Sequence, residues 1–274
     1  MSGMADGARA MERLLDLMAR LRAPDGCAWD REQTPATLKP QMLEECYEVI
    51  EAIDAGSPQH LTEELGDLLL HIVFQAQIAR EAGQFAFADV ANGIADKLVR
   101  RHPHVFGDAK VADAAGVVAQ WHQLKKAEKP ERESALDGVP RALPALMRAE
   151  ALQQKARRVG FDWPDVGGAL EKVREEVAEV TKEIESDHTF AHANEGKFTP
   201  APATAEEIGD LLFSIVNLTR HLKLDAEELL TGANDKFARR FRAVEARIKA
   251  TGKAMGECTL EELDAAWNAV KAAG

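Results

Sequence analysis

Glu207-Ile208-Gly209-Asp210-Leu211-Leu212-Phe213 repeats, almost letter for letter, Glu64-Leu65-Gly66-Asp67-Leu68-Leu69. Each copy is preceded by an EExxE block, Glu44-Glu45-Cys46-Tyr47-Glu48 in the first half and Glu175-Glu176-Val177-Ala178-Glu179 in the second. Each is followed by a basic block, Asp96-Lys97-Leu98-Val99-Arg100-Arg101 and then Asp235-Lys236-Phe237-Ala238-Arg239-Arg240. Trp121 with Lys125 recurs as Trp267 with Lys271. Four blocks in one order identify a tandem duplication of a single module.

The module reads as helical. Met11, Leu14, Leu15, Met18 and Leu21 form one stripe over 11–22, and Leu43, Tyr47, Ile50 and Ile53 have similar spacing over 38–53. Ser57-Pro58 is an N-cap followed by a first-turn proline, so a long helix is expected from there to about Ala82, ended by Gly83. Another is expected over 87–101, stopping before His102-Pro103. No stretch alternates with period two, so no strand is expected. Aromatics at 5% and a modest 19 Gly and 11 Pro agree with an all-α chain. The breaker-rich stretch 129–144 reads as a linker between modules at 1–128 and 145–274. A second polar stretch, 186–204, reads as an exposed loop between two helices, either a lid or tolerated surface.

Charge limits the function. Forty-six acids against 34 basic residues leave −12, so nucleic acid is not an expected partner, because phosphate affinity comes mainly from Lys and Arg. An anionic ligand would need positive charge from elsewhere, and a divalent cation is the natural source. The longest apolar run, near 68–74, is far too short to span a bilayer. Three cysteines without a CxxC pair suggest a reducing compartment, and the chain reads as cytoplasmic.

Residues three and four apart share a helix face. Glu176 and Glu179 are therefore neighbours, as are Glu207 and Asp210. Two such helices laid antiparallel bring four carboxylates together. Such a group repels itself unless it holds a hard cation, and Mg²⁺, with Mn²⁺ as a substitute, suits oxygen ligands completed by substrate phosphates. A single EExxE is usually just a solvated acidic face. Two ordered copies shift the reading to a metal site. Lys236 and Arg239 share a face downstream, with Arg240 beside them, and such a group suits a polyphosphate. Asn234 reads either as a ligand contact or as a helix cap. Trp267 reads either as a base-stacking ring or as packing.

These residues resemble the MazG family of all-α nucleoside triphosphate pyrophosphohydrolases. The likeness extends to Cys27-Ala28-Trp29-Asp30-Arg31-Glu32-Gln33-Thr34, Arg100-Arg101-His102-Pro103-His104-Val105-Phe106 and Gly160-Phe161-Asp162-Trp163. It implies tandem helical-bundle modules, a homodimer, and Mg²⁺-dependent hydrolysis of NTPs and dNTPs to the monophosphate and pyrophosphate, in nucleotide-pool housekeeping. It implies metal ligands at Glu176, Glu179, Glu207 and Asp210, with counterparts Glu45, Glu48, Glu64 and Asp67. Nucleotide contacts are implied at Lys172 to Glu176, just before Glu207, at 234–238, and at Trp267. Ala95 replaces Asn234 in the first half, so the second half is expected to carry most of the activity. Water would attack the α-phosphorus, helped by Glu175, with Lys236, Arg239 and Arg240 stabilising the departing pyrophosphate. The alternative is a catalytically weak dimeric adaptor that binds nucleotides or a partner protein. A di-iron bundle is disfavoured, since only Glu185-x-x-His188 offers its motif. His102-Pro103-His104 is a weak half of a zinc site.

Overall fold

The computed structural model of the chain describes residues 2–111, 113–128, 133–186 and 201–273. Among them every regular element is helical. The α-helices are α1 (Ser2–Leu21), α2 (Ala28–Glu32), α3 (Lys39–Asp54), α4 (Pro58–Glu81), α5 (Phe87–Arg101), α6 (Pro103–Phe106), α7 (Ala114–Ala127), α8 (Ala145–Arg158), α9 (Val166–Ser186), α10 (Pro202–His221), α11 (Ala226–Ala250) and α12 (Leu260–Ala273). The chain divides into two units, Met1–Pro130 and Glu131–Gly274. None of the helices is long and apolar enough to cross a membrane.

In the first unit α3 and α4 pack along much of their length, with α1 and α5 against α4 and α7 against α5. Met18, Leu38, Val73 and Phe74 form the buried core, and Met11, Leu14, Leu15 and Phe87 close over it. The expected stripe on α1 therefore packs as read, although the helix begins earlier, at Ser2. α4 starts and stops where its signals place it. The Ser57 hydroxyl accepts the His60 amide at 3.3 Å, and Gly83 takes a φ of 66° just past the end. Glycine supplies that left-handed conformation without a Cβ penalty.

In the second unit α9 and α10 form the corresponding pair. α8 lies against α10, α11 against α8 and the edge of α10, and α12 against α11. Val244, Ile248 and Ala266 form its core with Met255, Leu263, Trp267 and Val270 around them. The pairings α9–α10, α8–α10, α10–α11 and α11–α12 repeat those of the first unit, and the α8–α11 contact is added to them.

Three features correct the sequence reading or go beyond it. The polar loop was expected to reach Thr204, but α10 begins at Pro202 and Thr204 is 1% exposed. Proline is tolerated at the first helical position, where its missing N–H has no partner to lose, so Pro202 opens the helix. The rest of that stretch, 187–200 with His188, lies outside the described residues. Second, the apolar stripe on α3 does not enter the core of its own unit. Leu43, Tyr47, Ile50 and Ile53 are 46–57% exposed, while Ala52 is buried. Third, Leu212 and Phe213, the apolar residues that follow Asp210 and Leu211, are 52% and 43% exposed. The buried positions of α10 are instead Thr204, Ser214, Val216, Asn217 and Arg220.

Candidate functional site

α9 and α10 carry the second set of acids to one place. Carboxylate oxygens of Glu176, Glu207 and Asp210 all lie within 4.8 Å of one another. Glu176 is 3% exposed, and its Oε2 has no hydrogen-bond partner. A buried carboxylate oxygen left unpaired is costly unless something positive meets it. Its other oxygen is met by Lys172, whose Nζ stands 2.6 Å from Glu176 and 2.9 Å from Glu175. These pairs, first with Glu176 and then with Glu175, hold the Lys172 ammonium strongly charged. Burial, then the charges of Glu179, Glu176, Asp210 and Glu183, push the Glu207 carboxyl above its usual range. Glu179 thus faces Glu207 without being one of the three converging acids. The donors are all hard oxygens, with one orphaned and buried, and that set fits Mg²⁺.

Beside this cluster is a cavity of about 810 Å³. Lys172, Glu176 and Asp210 belong to both. Its apolar wall includes Leu152, Phe161, Trp163 and Phe213. Trp163 lies so close to Gly168 that a Cβ there would stand 2.1 Å from the indole, so only glycine permits this placement. The polar wall includes Asp162 and Arg220. Arg220 Nη1 donates to Asp162 at 3.0 Å, its Nε donates to Asn217 at 2.9 Å, and His221 Nε2 stands 3.1 Å from Asp162. Burial would raise the Asp162 carboxyl, but Arg220 and His221 outweigh it and hold it below its usual range. Residue spacing gave no sign of this network, because Asp162 and Arg220 are far apart in the chain. Asp162 did lie in one of the resemblance segments.

The basic group sits on α11. Among the described residues, no ion pair or hydrogen bond joins Lys236, Arg239 or Arg240 to the acids, and Arg240 Nε is buried without a partner. Asn234 is exposed in the interior of α11, so it is no cap. Asp225 caps that helix, accepting the Glu228 amide at 3.0 Å. Trp267 packs on Phe237, with ring centroids 5.3 Å apart, and against the Val244 core. It therefore packs, and the residue as a whole is half-buried.

The first unit repeats the acids on α3 and α4. Oxygens of Glu45, Glu48 and Glu64 lie within 4.8 Å of one another. Burial, then Asp67, Glu48 and Glu64, push the Glu45 carboxyl up. Two histidines join them. His60 Nε2 is 2.9 Å from Glu64, and His71 Nε2 is 3.7 Å from Glu45. Burial lowers the His71 pKa, partly opposed by Asp67. Neither histidine figured among the expected site residues, although Glu64, Asp67 and His71 at i, i+3 and i+7 share one face of α4. The basic pair here is already matched. Arg100 Nε donates to Glu128 at 2.7 Å and Arg101 Nε at 3.0 Å. Arg101, then Arg100, hold the Glu128 carboxyl down at about 2. Lys125 and Arg101 both lie over the Trp121 ring, at 5.1 and 5.3 Å. His102 and His104 rings are 5.6 Å apart, and neither is in a metal-ligand group among the described residues.

Comparison with known proteins agrees with the doubled architecture. The family model of the MazG nucleotide pyrophosphohydrolase domain matches twice, at residues 33–106 and 168–244. The chain is 47% identical over 264 residues to the nucleoside triphosphate pyrophosphohydrolase of Escherichia coli K12, covering 95% of this chain and 97% of that one. It is 43% identical to the nucleoside triphosphate pyrophosphohydrolase/pyrophosphatase MazG of Thermotoga maritima, covering 98% of both. It is 46% identical to the uncharacterized protein YabN of Bacillus subtilis, over 93% of this chain and 50% of that protein.

Proposed function

The chain belongs to the MazG nucleotide pyrophosphohydrolase family, and on that premise we propose a Mg²⁺-dependent hydrolase that converts NTPs and dNTPs to the monophosphate and pyrophosphate, acting mainly in its C-terminal half. The observation that carries this reading is the convergence of Glu176, Glu207 and Asp210 beside a cavity of about 810 Å³. The cavity accommodates a nucleoside, and the acids mark where its phosphates belong. Glu176, Glu207 and Asp210 are the proposed metal ligands, with Glu179 completing the set. Mg²⁺ bound there supplies positive charge that polarises phosphoryl oxygens and offsets developing negative charge.

The protein's own groups do the rest. Lys172 holds Glu176 in place at 2.6 Å. Glu175 is exposed one turn from Glu179 and, although paired with Lys172 at 2.9 Å, is the acid proposed to take a proton from the attacking water. The water oxygen bonds to the α-phosphorus as the α–β anhydride bond breaks. Pyrophosphate leaves with the bonding electrons and is received by Lys236, Arg239 and Arg240. These three have no acid partner among the described residues, which supports an anion-binding role. Asn234, exposed on the same helix, is a proposed nucleotide contact, and half-buried Trp267 is another.

A homodimer accounts for the exposed stripe Leu43, Tyr47, Ile50 and Ile53, since a periodic apolar helix face calls for a partner surface. All three cysteines are free, in keeping with a cytoplasmic, nucleotide-housekeeping enzyme. Product analysis with the common NTPs and dNTPs, with and without Mg²⁺, tests the reading. Metal-dependent monophosphate and pyrophosphate are expected. Diphosphate and phosphate would place attack at the γ-phosphorus and overturn it.

A further inference from the structure

The buried core of the first unit is replaced, position by position, in the second. Leu38 lies seven residues before Glu45, and Ala169 lies seven before Glu176. Phe74 lies seven after Asp67, and Asn217 seven after Asp210. The last turns of α1 and α8 align through the amides that close them. Cys27 N–H donates to the Leu21 carbonyl and Phe161 N–H to that of Ala156, which sets Met18 against Gln153. Met18, Leu38 and Phe74 thus become Gln153, Ala169 and Asn217, again buried, at 1–7% exposure. Three large apolar side chains have given way to one methyl group and two amides. All three replacements line the cavity of the second unit. That unit is hollow where the first is packed. Truncating core side chains costs stability, and a ligand that fills the space offsets the loss.

The two amides differ in what remains open. Asn217 Oδ1 accepts from Arg220 Nε at 2.9 Å. Gln153 Nε2 donates to the Phe213 carbonyl at 2.8 Å, which fixes the orientation of that amide. Its Oε1 is buried without a hydrogen-bond partner. A buried carbonyl oxygen left in this way calls for an N–H donor. Phe161, 82% exposed, and Trp163 offer aromatic faces on the same cavity.

We propose that the base of the nucleotide occupies this hollowed core and that Gln153 determines specificity there. Gln153 Oε1 accepts a hydrogen bond from an amino group on the base, as adenine and cytosine carry, while Trp163 and Phe161 bear on the ring. In the first half Met18, Leu38 and Phe74 fill the corresponding positions, so that half takes no base there. The inference rests on the proposed nucleotide hydrolysis in the C-terminal half and assigns the part of the substrate that the cavity receives.

The test compares ATP with purine riboside triphosphate, which lacks only the 6-amino group, using full-length protein and Mg²⁺. The parent should favour ATP by about tenfold in kcat/KM, in keeping with one buried hydrogen bond. Gln153→Met copies Met18 and keeps the buried volume, and it should bring the ratio to within about twofold of unity. A packing defect alone would lower both rates together and leave the ratio unchanged. Ala169→Leu copies Leu38 and refills the space. It should raise KM for ATP by at least about tenfold, while the inhibition constant of inorganic tripolyphosphate, which has no base, changes by less than about twofold. Circular dichroism checks the helical fold of both variants. A parent that does not distinguish the two nucleotides, or a preference unchanged in Gln153→Met, overturns the role of Gln153. A KM for ATP unaffected by Ala169→Leu, or tripolyphosphate weakened to the same extent as ATP, overturns the placement of the base. Both results leave nucleotide hydrolysis in place as long as the parent releases AMP and pyrophosphate from ATP, and the absence of that release would remove the underlying reading too.

Discussion

In the C-terminal half Lys172 grips Glu176, while Arg239 and Arg240 have no acid partner among the described residues. In the N-terminal half Gln41 stands where Lys172 does in the repeat, histidines stand beside the acids, and Arg100 and Arg101 are both bonded to Glu128. The counterpart of Glu128 in the second copy is Gly274. The acids were duplicated and kept, but their surroundings diverged. One half leaves its arginines without an acid partner among the described residues, and the other pairs them with Glu128. Retained carboxylates are thus weak evidence of a retained reaction. The groups that meet the rest of the substrate are stronger evidence.

Removing the cations from each half in turn should separate them most widely. Arg239→Ala with Arg240→Ala should cost about 10- to 100-fold in kcat/KM for each arginine, since a charge-assisted hydrogen bond contributes roughly 1.5–3 kcal/mol. Arg100→Ala with Arg101→Ala should leave steady-state hydrolysis within about twofold. A large loss in the second pair would erase the distinction between the halves.

Next comes the response to pH and metal. Glu45 and Glu207 have raised carboxyl pKa values, so between their unfolded and folded values the native state binds more protons than the unfolded one. These two groups should therefore withdraw stability as pH rises through the carboxylate range, against the gain from Glu128 and Asp162, whose carboxyls are held down, and divalent metal should restore the loss above that range. Thermal melts from pH 4 to pH 8, with and without metal, check this at about unit pH steps. Mg²⁺ should act through the C-terminal acids, so Asp210→Asn should remove most of its effect. Glu207→Gln should gain melting temperature relative to the apo parent as pH rises, and a difference that does not grow with pH would contradict the cause assigned to that shift.

A smaller effect is expected from making the second half resemble the first. Lys172→Gln copies Gln41. It should tighten resting Mg²⁺ binding a few-fold, by leaving the acids more negative, and lower kcat by loosening Glu176. Calorimetry and steady-state kinetics read the two changes separately. The smallest concerns Glu128→Gln. Freed of that acid, Arg100 and Arg101 should give the N-terminal half a weak, salt-sensitive affinity for triphosphate, measurable in a Glu176→Gln background.

Much of this was legible in the sequence, for physical reasons. Helical periodicity and punctuation by Ser57, Pro58 and Gly83 are local, so α3, α4 and α5 fall within a residue or so of their expected bounds. The acids were legible because i, i+3 spacing fixes a face and the repeat supplied two instances. What could not be read was anything requiring two distant segments to meet. The Asp162–Arg220 pair, the Glu128 contacts with Arg100 and Arg101, and the approach of His71 to Glu45 depend on packing between helices. Periodicity also marked Leu43, Tyr47, Ile50 and Ile53 as one face without revealing that this face stays outside the core of its own unit. An amphipathic pattern says that a face is apolar and is silent about which partner covers it.

The most direct measurement sets Glu176→Gln against Glu45→Gln in full-length protein at saturating Mg²⁺, with pyrophosphate release followed in single and multiple turnovers. Glu176→Gln should lose about 1,000-fold or more in rate, in line with removal of a charge-stabilising group from a phosphoryl-transfer site, while Glu45→Gln stays near the parent rate. Equal losses in both variants, or the larger loss in Glu45→Gln, would contradict the assignment of catalysis to the C-terminal half.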